Sequence, residues 1–156
     1  MGIYGKLSSL SNNKYYSNNF SDVKSIVDSL PENELKYICN GTFKNSPFVI
    51  YREVMVINNL PVAFIEIYSF KNKFQGIIVL STRYGEKYRH KGYMSELLSR
   101  SIQWAKKNKN IKELIYPVKT SNKSSISLAH KFEFSHPEED TNPYDKIELT
   151  LDVNEK

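Results

Sequence analysis

The segment Tyr88-Arg89-His90-Lys91-Gly92-Tyr93-Met94 concentrates the residue types that hold an anion. Basic side chains flank a glycine, and an apolar pattern of helical period starts directly after it. A helix start presents unpaired backbone N–H groups at the positive end of the helix dipole. Phosphate binds readily at such a turn, and pyrophosphate is a common occupant. Gly92 lets the backbone approach a phosphate without a Cβ in the way, and Arg89 and Lys91 add charge. The same residues also suit an ordinary helix start with solvated basic side chains, so an isolated R-x-x-G does not decide between the two. Other chemistries are poorly supplied. His90 and His136 have no Cys, His or Asp at metal-ligand spacing, so no metal site is expected. No Ser/His/Asp or Cys/His arrangement stands out. Cys39 is the single cysteine, which excludes an internal disulfide, and it reads as a small buried hydrophobe at a helix end.

The elements that must position this turn follow from periodicity. Residues 1–20 are rich in Ser, Asn, Lys and Tyr and read as a loop, with room for one short strand near Ile3–Leu7. Val23, Ile26, Val27 and Leu30 recur at i, i+3, i+4 and i+7, one face of a helix that starts at Ser21 and stops at Pro31. Leu35 and Ile38 suggest a second short helix ending before Gly41. Phe48–Ile57 and Val62–Phe70 are β-branched and aromatic runs around Asn58-Asn59, the signature of a hairpin. Gly76–Tyr84 is a third strand. The long helix, Gly92–Asn108, carries Met94, Leu97, Leu98, Ile102 and Ala105 on one face, with Trp104 off that face. A strand at Leu114–Val118, a helix at Lys123–Phe132, an acidic loop at Pro137–Pro143 and a strand at Lys146–Val153 complete the chain. Three sequential strands followed by a crossover predict a mixed, mainly antiparallel α/β (α+β) sheet with two helices on each face.

The chain has 156 residues, 40% hydrophobic and 25% charged, a globular balance with room for one domain over residues 1–156. Its apolar runs are far shorter than the roughly 20 residues of a membrane span. No basic-then-apolar segment opens it, and with a lone cysteine the expected location is the cytoplasm. The net charge of +5 hints at a polyanionic partner. Coding bias offers a competing account, since there are 18 Lys against 4 Arg, and 15 Asn against 3 Ala.

Arg89 and Gly92 occupy the first positions of a Q/R-x-x-G-x-G/A pattern, and thirty residues on Asn122, Ser125, Leu128 and Phe134 fit N-x-x-A/S-x-x-L-Y-x-x-x-G-F. Two signatures in this order, each on its expected element, resemble the GNAT superfamily of N-acetyltransferases over about residues 21–153. Three positions depart from the pattern: Met94 stands for the second Gly/Ala, Glu133 for the Gly of the closing pair, and Ala129 for the Tyr that usually protonates the departing thiolate.

The resemblance implies a GNAT-like fold and acetyl transfer from acetyl-CoA to a primary amine of a small molecule or protein. It implies that the amides of Arg89, His90, Lys91, Gly92, Tyr93 and Met94 hold the pyrophosphate. The strand near Arg83 and Tyr84 would pair with the pantetheine arm, a strand amide would polarise the thioester carbonyl, and Asn122 and Ser125 would line the wall near the thiol. The amine must be neutral to attack, so a base is useful. Glu66 is the first candidate, sharing a strand face with Val62, Phe64 and Tyr68, and Glu53 is its equivalent on the preceding strand. For the acid, His130 adjoins the vacant Tyr position, with Tyr116 and Tyr144 as alternatives; water could serve instead. The resemblance leaves room for a homodimer, and the short apolar runs give no expectation of a membrane partner.

Two other readings compete. One is a GNAT-fold protein that binds acyl-CoA or a protein partner without catalysis, motivated by Ala129 and Met94. The other is a nucleic-acid-binding module, motivated only by basicity. The distribution of charge weighs against the latter: Arg83–Lys131 holds twelve Lys/Arg and three Asp/Glu, a local +9, while the rest of the chain nets −4. The basic half coincides with the expected cofactor elements and suggests a small polyanion, the phosphates of CoA. The acidic remainder, including Glu138, Glu139 and Asp140, suits a cationic acceptor.

Overall fold

The computed structural model describes residues 13–35, 38, 44–136 and 146–154. Its frame is a six-stranded sheet in sequential order: β1 (Lys14–Ser17), β2 (Val49–Ile57), β3 (Leu60–Tyr68), β4 (Gln75–Thr82), β5 (Glu113–Lys119) and β6 (Lys146–Asp152). Every neighbouring pair is antiparallel except β4 with β5. Helices α1 (Phe20–Val27) and α2 (Glu32–Leu35) precede β2, α3 (Tyr93–Lys107) crosses from β4 to β5, and α4 (Lys123–Lys131) follows β5. This is the expected mixed sheet with helices on both faces.

Alternation along β3 divides the core. Phe64 joins Val54 and Val56 beneath Val23, Ile26 and Val27 of α1, with Leu35 of α2 packed against them. Ala63, Ile65 and Ile67 join Met55 beneath Leu97, Leu98, Ile102 and Ala105 of α3 and Ala129 of α4. Trp104, which the helical pattern set off the apolar face, packs its ring on Tyr51 of β2 with centroids 4.8 Å apart.

The β2–β3 hairpin turns on Asn58 and Asn59, with φ of 51° and 65°. Two left-handed residues give the twist that matches paired strands, and Asn tolerates that conformation. Pro31 does not simply stop a helix; its carbonyl accepts from the amides of Glu34 and Leu35 and so opens α2. Strand β1 is a correction to the loop expected over residues 1–20: Lys14–Ser17 pairs with Val54–Ile57 at the sheet edge. The strand expected near Ile3–Leu7 lies outside the described residues, as do Cys39, Tyr144 and the acidic loop.

Helix α4 ends on a Schellman motif. The Phe134 amide donates to the Ala129 carbonyl and the Glu133 amide to that of His130, each at 3.0 Å. The motif needs a left-handed residue, and Glu133 supplies it with φ of 71°. A Cβ in that conformation costs about 1 kcal/mol. Glu133→Gly is therefore expected to stabilise the chain by about 1 kcal/mol, raising the midpoint of thermal unfolding by roughly 2–4 °C. An unchanged or lower midpoint in a calorimetric scan would contradict this.

Candidate functional site

Strands β4 and β5 pair over only three positions, Gln75–Ile77 with Glu113–Ile115. Beyond Ile77 they part, and a cleft of about 500 Å³ opens between Ile78–Ser81 and Tyr116–Lys119. Asn122 and Ser125 of α4 line it, together with Leu30, Glu34 and Ile38 on the α1/α2 side. The cleft thus opens on both faces of the sheet.

The hydrogen-bond parity of β4 decides what its edge offers. The Arg83 amide donates to the Val62 carbonyl at 2.8 Å. Antiparallel exchange then alternates back along the strand through Ser81 and Val79 to Ile77. Ile78, Leu80 and Thr82 therefore aim their backbone groups at the cleft, where β5 has diverged. This is an interior strand edge open to an extended ligand.

The expectation that Arg83 and Tyr84 belong to this edge needs correcting. The strand ends at Thr82. The Arg83 guanidinium bonds the Pro61 carbonyl, at 2.8 Å, and the Ser25 hydroxyl. The Tyr84 amide donates to Ser29 Oγ at 3.0 Å, and its ring stays exposed. Ties to Ser25 of α1 and to Ser29 just after it pull the two residues out of line, and neither lines the cleft.

After β4, a 3-10 turn at Glu86–Tyr88 leads into α3. His90 and Gly92 both have left-handed backbone, φ of 56° and 79°. Among the described residues, the amides of His90 to Ser95 have no backbone acceptor. This run of N–H groups, bent by two left-handed residues ahead of a 15-residue helix, is a concave anion cradle. A Cβ placed on Gly92 would meet no atom within 4 Å, so the space before it is open. His90 and Lys91 are exposed, while Tyr93 and Met94 are half-buried on the first turn of α3. Arg89 is not free to join them as the structure stands: its Nη2 donates to Glu34 Oε1 at 3.0 Å.

On the opposite wall, Asn122 caps α4, its Oδ1 accepting from the Ser125 amide at 3.1 Å. Ser125 neighbours the Tyr116 hydroxyl and favours its phenolate, a smaller effect than burial. Tyr116 is 4% exposed, and burial pushes its phenol up to about 12. Ala129 is fully buried one helical turn beyond Ser125. A cleft-lining phenol therefore stands on β5 and not on α4.

The structure places the two residues expected to move protons elsewhere. Glu66 is fully buried, and both of its oxygens are engaged: Oε2 with Arg52 Nε at 2.7 Å, Oε1 with the Tyr68 hydroxyl at 2.9 Å. It belongs to the α1 face, opposite Arg52 across the hairpin, and it does not line the cleft. Glu53 is likewise committed, accepting from Arg100 at 2.7 and 2.8 Å and from the Tyr51 hydroxyl at 2.9 Å. His130 is exposed on the outer side of α4, its ring centroid 5.1 Å from that of His136, because one residue turns the helix about 100° away from Ala129. The expectation missed Glu34, which lines the cleft. Its only sequence signal was the acidic run on the short helix after Pro31. Among the described residues there is no group of three or more His, Cys, Asp or Glu placed to hold a metal, and no helix is long and apolar enough to cross a membrane.

Comparison with known proteins agrees with this architecture. The model of the acetyltransferase (GNAT) domain matches residues 32–135. No curated protein matches the sequence. Among solved structures, the fold is similar to a GNAT-family acetyltransferase from Streptococcus pneumoniae, with TM-score 0.69 and 16% identity over 91% of this chain and 100% of that one. It is similar to an N-acetyltransferase from Staphylococcus aureus Mu50, with TM-score 0.68 and 21% identity over 91% and 99%. It is also similar to the PaiA N-acetyltransferase from Thermoplasma acidophilum in complex with coenzyme A, with TM-score 0.68 and 16% identity over 90% and 99%. With an open β4 edge, an amide cradle at the start of α3 and a family match over two thirds of its length, the chain belongs to the GNAT acetyltransferase family.

Proposed function

We propose that the chain transfers an acetyl group from acetyl-CoA to a primary amine of a small molecule or protein, by direct attack of the amine. The observation that carries this reading is the parting of β4 from β5 after three paired positions. It leaves a strand edge for an extended arm and a cleft reaching both faces of the sheet. The Thermoplasma relative, which holds coenzyme A, supports the choice of donor. The open space before Gly92 and the unaccepted amides of His90 to Met94 fit the pyrophosphate. Acetyl-CoA supplies the thioester, an acyl carbon activated toward nitrogen.

The chain's own groups do the rest. The His90–Met94 amides and Lys91 hold the phosphates, and the Ile78, Leu80 and Thr82 backbone orients the arm and offers an amide to the carbonyl oxygen as charge develops there. Asn122 and Ser125 wall the thiol end. Tyr116, kept protonated by its raised pKa, is the hydroxyl donor on this wall that can turn toward the departing sulfur. A phenol near 12 is too weak an acid to hand its proton outright to a thiolate whose ordinary value is about 8.5. It stabilises the thiolate as a donor while solvent supplies the proton. Tyr116→Phe is expected to lower kcat about tenfold and to leave the KM for acetyl-CoA within about twofold.

The decisive experiment incubates the chain with acetyl-CoA and a panel of polyamines, aminoglycosides and alanine-initiated peptides, and follows thiol release. Amine-dependent release is the expected result. One observation favours a second reading, an acyl-CoA-binding protein without turnover: Ala129 brings no hydroxyl to the position where the family pattern has Tyr. Calorimetric binding of CoA with no release across the panel would establish that alternative.

A further inference from the structure

Glu34 stands where the sheet passage meets the α1/α2 face. It lines the cleft that Tyr116, Asn122 and Ser125 line from the other side. One carboxylate oxygen, Oε1, is held by Arg89. The other, Oε2, is buried and has no hydrogen-bond partner among the described residues. Buried carboxylate oxygens are ordinarily paired, because leaving one unmade forfeits its lost hydration. An unpaired oxygen in a ligand cleft is the group a cationic donor would complete. The other carboxylates weighed for proton transfer, Glu66 and Glu53, have both oxygens engaged away from this cleft. Among the described residues, the charged side chains that line the cleft with Glu34 are Lys119 and Lys146, on the β5 and β6 side.

We infer that Glu34 is the carboxylate that receives the acceptor's ammonium group and takes its proton. The inference rests on the acetyl-transfer reading and adds the acceptor's entry face and its charge. An acceptor R–NH3+ entering from the α1/α2 face pairs with Oε2 and gives it one proton. The neutral nitrogen then forms a C–N bond with the thioester carbonyl carbon, and the C–S bond breaks with its electron pair going to sulfur. The nitrogen's second proton passes to the sulfur through water, and Glu34 releases its proton to solvent. The balance is R–NH3+ plus acetyl–S–CoA giving R–NH–acetyl, HS–CoA and H+. Arg89 holds Oε1 throughout, which fixes the direction in which Oε2 points.

The test compares wild type, Glu34→Gln and Glu34→Asp on two acceptors of similar shape at neutral pH: ethylamine, which is protonated there, and 2,2,2-trifluoroethylamine, which is neutral. For Glu34→Gln, kcat/KM is expected to fall about 100-fold with ethylamine, a typical loss for a missing base, and less than about threefold with trifluoroethylamine. Glu34→Asp should recover part of the loss. The calorimetric Kd for acetyl-CoA should stay within about twofold in both variants. Equal losses on the two amines would overturn the base role, since a merely structural defect does not distinguish them. Full activity of Glu34→Gln on ethylamine would overturn it too while leaving acetyl transfer standing. A wild type that binds acetyl-CoA and transfers to no amine would remove the acetyl-transfer reading, and the role of Glu34 with it.

Discussion

Replacing Gly92 by valine is expected to weaken acetyl-CoA binding about 100-fold. Two effects add. With φ of 79°, Gly92 is in a region where a β-branched residue is an outlier, so valine drives the turn toward another conformation. The amides of His90 to Met94 then no longer converge. A hydrogen bond to a charged partner contributes about 1.5–3 kcal/mol, so the loss of one or two accounts for the 2.7 kcal/mol that a hundredfold represents. The new side chain also occupies the space that is open beside Gly92. Lys91→Ala, which removes one exposed charge and leaves the amides in place, should cost less than about tenfold. Calorimetric titration decides, with circular dichroism to verify that α3 remains formed. A valine variant that binds as tightly as wild type would show that the phosphates lie elsewhere.

The second large effect concerns stability. Arg52→Met is expected to destabilise the chain by about 3–5 kcal/mol, because it leaves the Glu66 carboxylate buried with only the Tyr68 hydroxyl. For a chain of this length that corresponds to a fall of roughly ten degrees in the unfolding midpoint. Glu66→Gln should cost less. It keeps an acceptor for Tyr68, and Arg52, with its side chain 13% exposed, still reaches Asn45 Oδ1 and solvent. The double variant should be more stable than Arg52→Met alone, since no unpaired carboxylate remains. Denaturant unfolding of the three variants measures this. A double variant no better than the arginine variant would mean that the pair does not act as a unit.

That pair also shows where sequence reading stops. From the Asn58-Asn59 turn, Ile57 pairs with Leu60 and Val56 with Pro61. Continuing that register sets Arg52 opposite Ile65, and Glu66 appears as a carboxylate among apolar neighbours. A bulge between the Val56–Pro61 and Met55–Ala63 pairs shifts the register by one as far as Tyr51–Ile67, so Arg52 faces Glu66 instead. Nothing local announces the bulge, although Pro61, which lacks an N–H, suits its flank. The long helix and the hairpin were legible because their periods are local. The amide cradle was legible because a glycine and a helix start fall together. The end of β4 was not, because Arg83 and Tyr84 are strand-like residues diverted by Ser25 and Ser29, more than fifty positions away. Glu34 was not, because its meaning depends on which oxygen Arg89 leaves alone. Strand β1 was missed because four polar and aromatic residues carry no alternation of their own.

The parting of β4 from β5 bears on solubility as well as on the proposed acetyl transfer. A row of unpaired N–H and C=O groups is a template onto which other chains add strands, and proteins generally shield such rows. Here the row lies between two strands of one sheet, with α2 on one side of the opening and α4 on the other. A slender extended arm can reach it, whereas a strand still carrying its own sheet cannot. The fold thus keeps an aggregation-competent edge in the middle of the molecule and admits to it only ligands too thin to propagate the sheet.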